Sequence, residues 1–422
     1  MKFKIISLGC PKNLVESEYI AQRLETAGHT LSETGDTVVI NTCAFISDAA
    51  KESIETILQE ASGKEQNEKR VVVTGCLVER FRESLPDLLP EVDLFVGRAY
   101  YPEIANLIAG TGFYAKTGAF SDTFPRKVLT ARPSAYLKIQ EGCDNRCTYC
   151  TVPGIRGGLQ SRPPDKIKEE FRFLLENGFK EINIIAQDVT SYGRDSNLNL
   201  RTLLSDLLGV PGDYFLRLLY MHPRGIDDGI IDLMAGEKRI IPYMDIPIQH
   251  SEDRILYLMG RGYTKEHLER LLGKIRERVP DVTLRTPVIV GFPGESDGDF
   301  SALHDFVGKW AFDMLGAFMY SKEEGTPAYK LKGHVRKGVK HERYNAVMGL
   351  QRDISRQRLK RLVGKETKVI IEGREAPYMM GRILAQAPDI DGISFVKGQC
   401  DVGEIREGKI VKTLDYDVVV EV

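Results

Sequence analysis

Three apolar runs near the start of the chain, KIISLGC, TVVINTC and VVVTGC, end on Cys10, Cys43 and Cys76, and successive cysteines are 33 residues apart. Between the runs, apolar residues recur at helical spacing. Leu14 to Ala27 is expected to turn Ile20, Leu24 and Ala27 inward and to stop at Gly28, and Ser47 to Ala61 to turn Ile54, Ile57 and Leu58 inward. Strand, helix, strand at a regular period predicts a parallel βαβαβ sheet. Ligands of such sheets gather at the carboxyl ends of the strands, so three cysteines distant in sequence are expected on one rim. Core cysteines at strand ends would give the same pattern, because Cys is among the most buried residue types. Gly9 and Gly75, which open space beside two of the three, favour a three-thiolate site.

A second triad lies in EGCDNRCTYC, Glu141 to Cys150, where Cys143, Cys147 and Cys150 have the spacing C-x3-C-x2-C. Three thiolates this close hold an iron-sulfur cluster and leave one iron without a protein ligand, which is where chemistry can happen. A structural zinc site would want a fourth Cys or His nearby in sequence, and the nearest histidines are His29 and His222. Charged Asp144 and Arg146 between the ligands argue against three core cysteines. Tyr149 is then an aromatic wall beside the cluster or its ligand. The remaining cysteine, Cys400, matches neither triad, and an odd total of 7 fits reduced thiols better than a disulfide framework.

The cluster loop opens a longer alternation. A Gly, Thr, Ser and Pro-rich stretch, Thr111 to Ser134, reads as a linker. Strand-like runs follow at Ala135 to Gln140, Glu181 to Ala186, Tyr214 to Leu219, Tyr243 to Ile248, Thr283 to Val290 and Met314 to Met319. Helical patterns separate them at Pro164 to Asn177, Leu200 to Leu208, Asp227 to Met234, Thr264 to Arg278 and Ser296 to Lys309. Six βα units predict a partial (β/α)6 barrel with its reactive residues at the carboxyl ends of the strands, here Cys143, Gln187, His222, Gln249 and Gly291. Gly291, in IVGFPGE, is either a backbone approach to a nucleotide or a plain Gly-Pro turn. Arg285, inside an apolar strand, needs an acidic partner or a ligand carboxylate. His222 and His250 read first as hydrogen-bonded structural residues. In the loop VPGIRGGLQSRP, Arg156 and Arg162 either hold an anionic group or are solvated.

From Lys330 to Lys365 there are 12 Lys plus Arg against 2 Asp plus Glu, on a mostly helical pattern; a solvated face and contact with RNA are both open. Gly364 to Val422 changes to short β runs with turn residues between them, a small antiparallel barrel carrying 8 basic against 11 acidic residues. The whole chain is near neutral, at a net charge of -2, so only local charge can argue for a nucleic-acid partner. No apolar run is long enough to span a bilayer, and MKFKIISLGCPKN reads as strand and turn rather than a signal peptide, so no membrane contact and a cytoplasmic location are expected.

The C-x3-C-x2-C motif with Tyr149 before its last Cys resembles the signature of radical S-adenosylmethionine (SAM) enzymes. A cysteine-bearing N-terminal sheet, this barrel and a C-terminal module similar to a TRAM domain together resemble the radical SAM methylthiotransferase family over essentially the whole chain. That resemblance implies an N-terminal domain at 1–115, a radical SAM partial barrel at 133–330, a basic helical connector at 331–363 and a TRAM-like β domain at 364–422. SLGCPKNLVESE, Ser7 to Glu18, is similar to the family branch that modifies an aspartate in protein twelve of the small ribosomal subunit. The tRNA-modifying branch tends to carry Met-Asn where this chain has Lys12 and Asn13.

The family implies two 4Fe-4S clusters and SAM. One cluster, on Cys143, Cys147 and Cys150, would cleave SAM to a deoxyadenosyl radical that takes hydrogen from the aspartate β-carbon. The other, on Cys10, Cys43 and Cys76, would hold sulfur, and a further SAM would give the methyl group. Tyr149, Gln187, Arg285 and Gly291 are the expected SAM contacts, and a flavodoxin or ferredoxin the expected electron donor. Methylthiolation of a tRNA adenosine is the alternative within the family. A non-enzymatic iron-sulfur RNA-binding or assembly protein is the alternative outside it.

Overall fold

The structure, a computed structural model, describes residues 1–422 apart from 63–68, 117, 119 and 121. Three of the residues expected in the linker, 117, 119 and 121, therefore lie outside the described residues.

The N-terminal sheet has six parallel strands: β1 (Lys2–Ser7), β2 (Thr30–Leu31), β3 (Thr37–Thr42), β4 (Arg70–Gly75), β5 (Leu94–Val96) and β6 (Gly112–Tyr114), in the order β2-β1-β3-β4-β5-β6. The strands that precede the three cysteines are thus side by side, with Ser7 opposite Asn41 and Thr42 opposite Gly75. Val38, Ile40, Val71 and Val73 pack to one face and Phe3, Val39, Val72 and Leu94 to the other, which is why these runs are continuously apolar. The helix after β1 runs Pro11–Thr26 and ends at Gly28, φ +85. Ile20 and Leu24 are buried as expected, whereas Ala27 lies past the last helical turn and is exposed. In Ser47–Ala61 the inward line is Ala50, Ser53, Ile57 and Ala61, which rotates Leu58 out to solvent.

The central domain begins with β7 (Ser134–Lys138) and a short hairpin of β8 (Gln140–Glu141) with β9 (Gln160–Ser161) that brackets the cluster loop. It continues with β10 (Glu181–Ile185), β11 (Phe215–Leu218), β12 (Ile240–Asp245), β13 (Thr283–Val290) and β14 (Met314–Met319). All pairs are parallel, in the order β14-β13-β12-β11-β10-β7, which is the partial barrel. Its helices pack outside, while the inner face buries Tyr136, Ile185, Leu219, Ile241 and Tyr243. Neighbouring domains complete that interior, with Val15 from the N-terminal helix and Ala387 from the C-terminal module.

The module is a closed barrel of β15 (Glu366–Glu375), β16 (Tyr378–Ile383), β17 (Ser394–Lys397), β18 (Ile405–Thr413) and β19 (Val418–Glu421), antiparallel except for the β17–β19 pair. The helix Lys337–Lys360 reaches it from the central domain, with Val347 and Ile354 in the central core and Leu359 in the module core. Three of the seven basic residues of this helix have acidic partners beyond it: Arg343 with Glu295 and Asp297, Arg358 with Asp313, and Arg356 with Asp415. The module's acids are likewise engaged within the chain. Asp389 accepts from the Tyr136 hydroxyl at 2.9 Å and Asp391 from the Tyr243 hydroxyl at 2.6 Å, so net charge overstates what a partner would meet.

Glu181, buried at the start of β10, joins the module to the barrel through Arg382 at 2.6 Å and Arg217 at 2.7 Å. Burial alone would raise its carboxyl, but the two guanidinium groups outweigh that and lower it to about 2. A folded value below the unfolded one gives stability that is complete above the ordinary carboxylate range and is lost as pH falls toward 2, on the order of 3 kcal/mol. Urea unfolding at pH 7 and pH 3 is expected to differ more for the parent than for Glu181→Gln; equal differences would remove Glu181 from the docking contact.

Candidate active site: two three-cysteine sites

Cys10 follows Gly9 and caps the helix Pro11–Thr26, Cys43 lies just past β3, and Cys76 follows Gly75 and opens the helix Cys76–Phe81. Backbone geometry requires both glycines. Gly9 has φ +87, and a Cβ there would sit 2.5 Å from Cys43 Cβ and 2.7 Å from its Sγ. Gly75 has φ +93, and its Cβ would sit 2.3 Å from Asn41 Oδ1. Asn13 ties the rim together: its Nδ2 donates to the carbonyls of Leu8 and Thr42, at 3.0 and 2.9 Å. Its Oδ1 lies 3.8 Å from Cys10 Sγ and 3.9 Å from Cys76 Sγ. The expected convergence of the three thiols is therefore present, around a residue whose role the sequence did not signal.

The second triad is held by stitches along the cluster loop. The Asn145 backbone N–H donates to Cys143 Sγ at 3.4 Å, and its side chain donates to Asp188 at 2.6 Å. Thr148 donates to the Leu258 carbonyl at 2.7 Å. Arg261 lies 3.2 Å from Cys147 Sγ and 3.3 Å from Tyr149 Oη, and the Tyr149 ring meets Phe292 edge-on. Burial pushes the Cys143 and Cys150 thiols up to about 11 and about 12, and Cys43 up to about 11. Such thiols are protonated near neutral pH, and a bound metal must displace those protons. At Cys10 burial acts the same way, but Lys12 and Arg156 outweigh it and bring the thiol below its ordinary range.

A fully buried charge network joins the two triads. Arg98, Lys138 and Arg156 surround Glu16, from the N-terminal helix, and Glu141, which begins the cluster loop. The closest contacts are 2.8 Å from Arg98 to Glu141, 3.0 Å from Lys138 to Glu141 and 2.8 Å from Arg156 to Glu16. Arg156 also donates to Asn13 Oδ1 and lies 3.3 Å from Cys76 Sγ. Burial would raise the Glu141 carboxyl, but Arg98, Lys138 and Arg156 outweigh it and hold it well below the usual carboxylate range. Three cations meet these two carboxylates, Glu79 is buried at the edge of the network beside the Arg98 backbone, and Arg156 is the cation nearest the N-terminal thiols.

The loop arginines are not solvated, and the anionic groups they hold are the chain's own. Arg156 is inside this network, and Arg162, also buried, pairs with Glu170 at 2.7 Å. Arg126, within the expected linker, is buried between Glu18 and Glu170 and anchors that stretch to both domains.

The barrel-rim residues separate into two groups. Gln187 reaches the site, donating to Glu141 at 2.7 Å, and its Oε1 is buried with no partner among the described residues. Arg285 has found its acidic partners within the chain, Asp245 at 2.9 Å and Asp391 at 3.5 Å. Asp245 in turn accepts from the backbone N–H of Tyr220, so Arg285 supports a rim residue. Tyr220 has φ +64 and Gln249 φ +65, left-handed conformations that non-glycine residues adopt at a cost and that cluster at functional sites. Gly291, φ +71, is covered by Lys340: a Cβ would meet the Lys340 Cγ at 2.4 Å. His222 and His250 are buried acceptors from the backbone of Arg224 and Glu252, and burial lowers them to about 2 and about 3.

Family comparisons divide the chain as the fold does. Residues 2–97 match the family described as Uncharacterized protein family UPF0004, residues 137–307 the Radical SAM superfamily and residues 363–422 the TRAM domain. Ribosomal protein uS12 methylthiotransferase RimO of Acetivibrio thermocellus is 42% identical, across 100% of this chain and 98% of that protein. The proteins of the same name from Geobacter sulfurreducens and Thermotoga maritima are also 42% identical, across 100% and 99% of this chain and 98% and 99% of theirs. The chain belongs to the RimO family of radical SAM methylthiotransferases.

Solved structures agree with that fold. TsrM, a radical S-adenosylmethionine methyltransferase from Kitasatospora setae, solved with cobalamin and a 4Fe-4S cluster, is 15% identical with a TM-score of 0.57, covering 78% of this chain and 76% of that one. The cobalamin-dependent S-adenosylmethionine radical enzyme OxsB is 13% identical with a TM-score of 0.55, covering 84% of this chain and 56% of that one. The cofactors of the RimO family are SAM and two 4Fe-4S clusters, and the donor sets here suit them. Among the described residues no His, Cys, Asp and Glu group is drawn tightly enough for a single metal ion. Each site offers three thiols, as a polynuclear cluster takes, and the buried Arg156 beside Cys76 complements the negative charge of thiolate ligands.

Proposed function

We propose that the chain attaches a methylthio group to the β-carbon of an aspartate in ribosomal protein uS12. In this reading Cys143, Cys147 and Cys150 hold one 4Fe-4S cluster, and Cys10, Cys43 and Cys76 hold the other. The observation that carries it is the single buried network that fixes two three-thiol sites against each other. When bound, the clusters and SAM supply radical hydrogen abstraction, sulfur and a methyl group. The chain's own residues orient these components. Tyr149, held by Arg261 and Phe292, walls the central site, and the unpartnered Gln187 Oε1 is a hydrogen-bond acceptor for SAM. Arg285 and Gly291 are left out of this contact set, because Asp245 and Lys340 already occupy them.

A one-electron donor such as flavodoxin or ferredoxin serves the enzyme in the cytoplasm, where its ribosomal substrate is. No described helix is long and apolar enough to cross a membrane. The tRNA alternative is not favoured, since full-length identity is to proteins named for uS12. Mass spectrometry of ribosomal proteins and tRNA nucleosides from a deletion strain tests the assignment. Loss of the methylthio group from uS12 is expected; loss from tRNA with uS12 unchanged would overturn it.

A further inference from the structure

Lys12 is buried, at 8% exposure, two residues after Cys10. Its ammonium lies 3.4 Å from the centre of the Tyr220 ring, across the junction between the N-terminal domain and the barrel rim. The groups that act on it most strongly are Tyr220, Cys10 and Arg156, and among the described residues it forms no ion pair with a carboxylate. This sets it apart from the other cations buried nearby, since Arg98, Lys138 and Arg156 each have Glu16 and Glu141. Glu16, one helical turn beyond Lys12, is turned to that network and away from it. A buried ammonium without a carboxylate partner is costly, and an aromatic face and one neighbouring thiol offset only part of that cost.

The position is reachable from outside. Gly9 is exposed, and Cys10, Pro11 and Tyr220 are half-buried, so the ammonium lies just beneath a surface that an incoming side chain can meet. The Tyr220 backbone is held in its left-handed conformation by Asp245, which Arg285 fixes in turn, so the ring over Lys12 is a built feature.

We propose that Lys12 binds the carboxylate of the substrate aspartate and so brings the adjoining β-carbon to the Cys10 side of the two thiol sites. The inference rests on the methylthiolation reading above and names the group that selects the substrate side chain. Carboxylate and β-carbon are directly bonded, so fixing the first confines the second to within one bond length. An asparagine of the same shape offers no anion and leaves the ammonium unpaired.

The test uses the full chain with clusters reconstituted and two fluorescent peptides from uS12, one with the target aspartate and one with asparagine in its place. Anisotropy is expected to show the parent chain binding the aspartate peptide about 10- to 100-fold more tightly, the size of one charge-assisted hydrogen bond. Lys12→Met is expected to bind both peptides equally and to keep its iron, because Arg156 still faces the N-terminal thiols, and Lys12→Arg to recover part of the preference. Retained preference in Lys12→Met overturns the proposal. So does loss of iron from that variant, which would make Lys12 a counter-ion of the thiol site. A parent chain that modifies the aspartate peptide yet binds the two equally also overturns it. A parent chain that neither binds nor modifies either peptide defeats the uS12 reading itself.

Discussion

Alanine at Cys143, Cys147 and Cys150 together is expected to remove about half of the iron and to abolish formation of deoxyadenosine from SAM. Alanine at Cys10, Cys43 and Cys76 is expected to remove the other half. With the central triad intact, that second variant should go on cleaving SAM, uncoupled from any methylthio product. The contrast follows from geometry: the N-terminal triad sits on three strand ends and the central triad on a single loop, and no thiol of one is placed among those of the other. Iron analysis, deoxyadenosine chromatography and product mass spectrometry read the three quantities separately. Unchanged iron in the N-terminal variant would remove that site, and deoxyadenosine from the central variant would mean that SAM is cleaved elsewhere.

Arg156→Met is expected to destabilise the chain by about 3–5 kcal/mol, the usual cost of removing one partner from a buried charge cluster. One guanidinium serves four groups: its Nη1 faces Glu16 and Glu141, and its Nη2 faces Asn13 and Cys76. Methionine fills similar space but leaves two buried carboxylates with two cations and takes the donor from Cys76. Arg156→Lys keeps the charge without the fork, so an intermediate loss is expected. Urea unfolding of the cluster-free chain reads stability, and iron content of the reconstituted variant reads the thiol site. A methionine variant as stable as the parent would mean that the network does not bind the two domains together.

Much of the fold was legible because it rests on repetition. Continuous apolar runs buried on both faces at a constant spacing specify parallel strands, and a cysteine after each of three neighbours specifies a rim. The charge network was not legible in this way. Its members, at 16, 98, 138, 141 and 156, come from five separate elements, with no period to connect them. A signal existed all the same: Lys138 stands in the apolar strand AYLKIQ just as Arg285 stands in its own, and the same reasoning asks each for an acidic partner. Arg285 illustrates the limit of that reasoning, which demanded a carboxylate without saying whether protein or ligand supplies it. The net charges of the basic helix and the acidic module inform less for a related reason, since they count groups without regard to those that meet within the chain.

The loop of the C-terminal module that lays Ala387, Asp389 and Asp391 against the barrel's inner face has a consequence for how the molecule is made. Of the three domains this one leaves the ribosome last. While it is being synthesised, the Tyr136 and Tyr243 hydroxyls and the Glu181 carboxylate have no mate from it, so the central domain is an unfinished container. Translation therefore sets a clock on assembly. A nascent chain cannot close its reaction chamber early, and a message cut short upstream of β15 leaves a chamber open at one end.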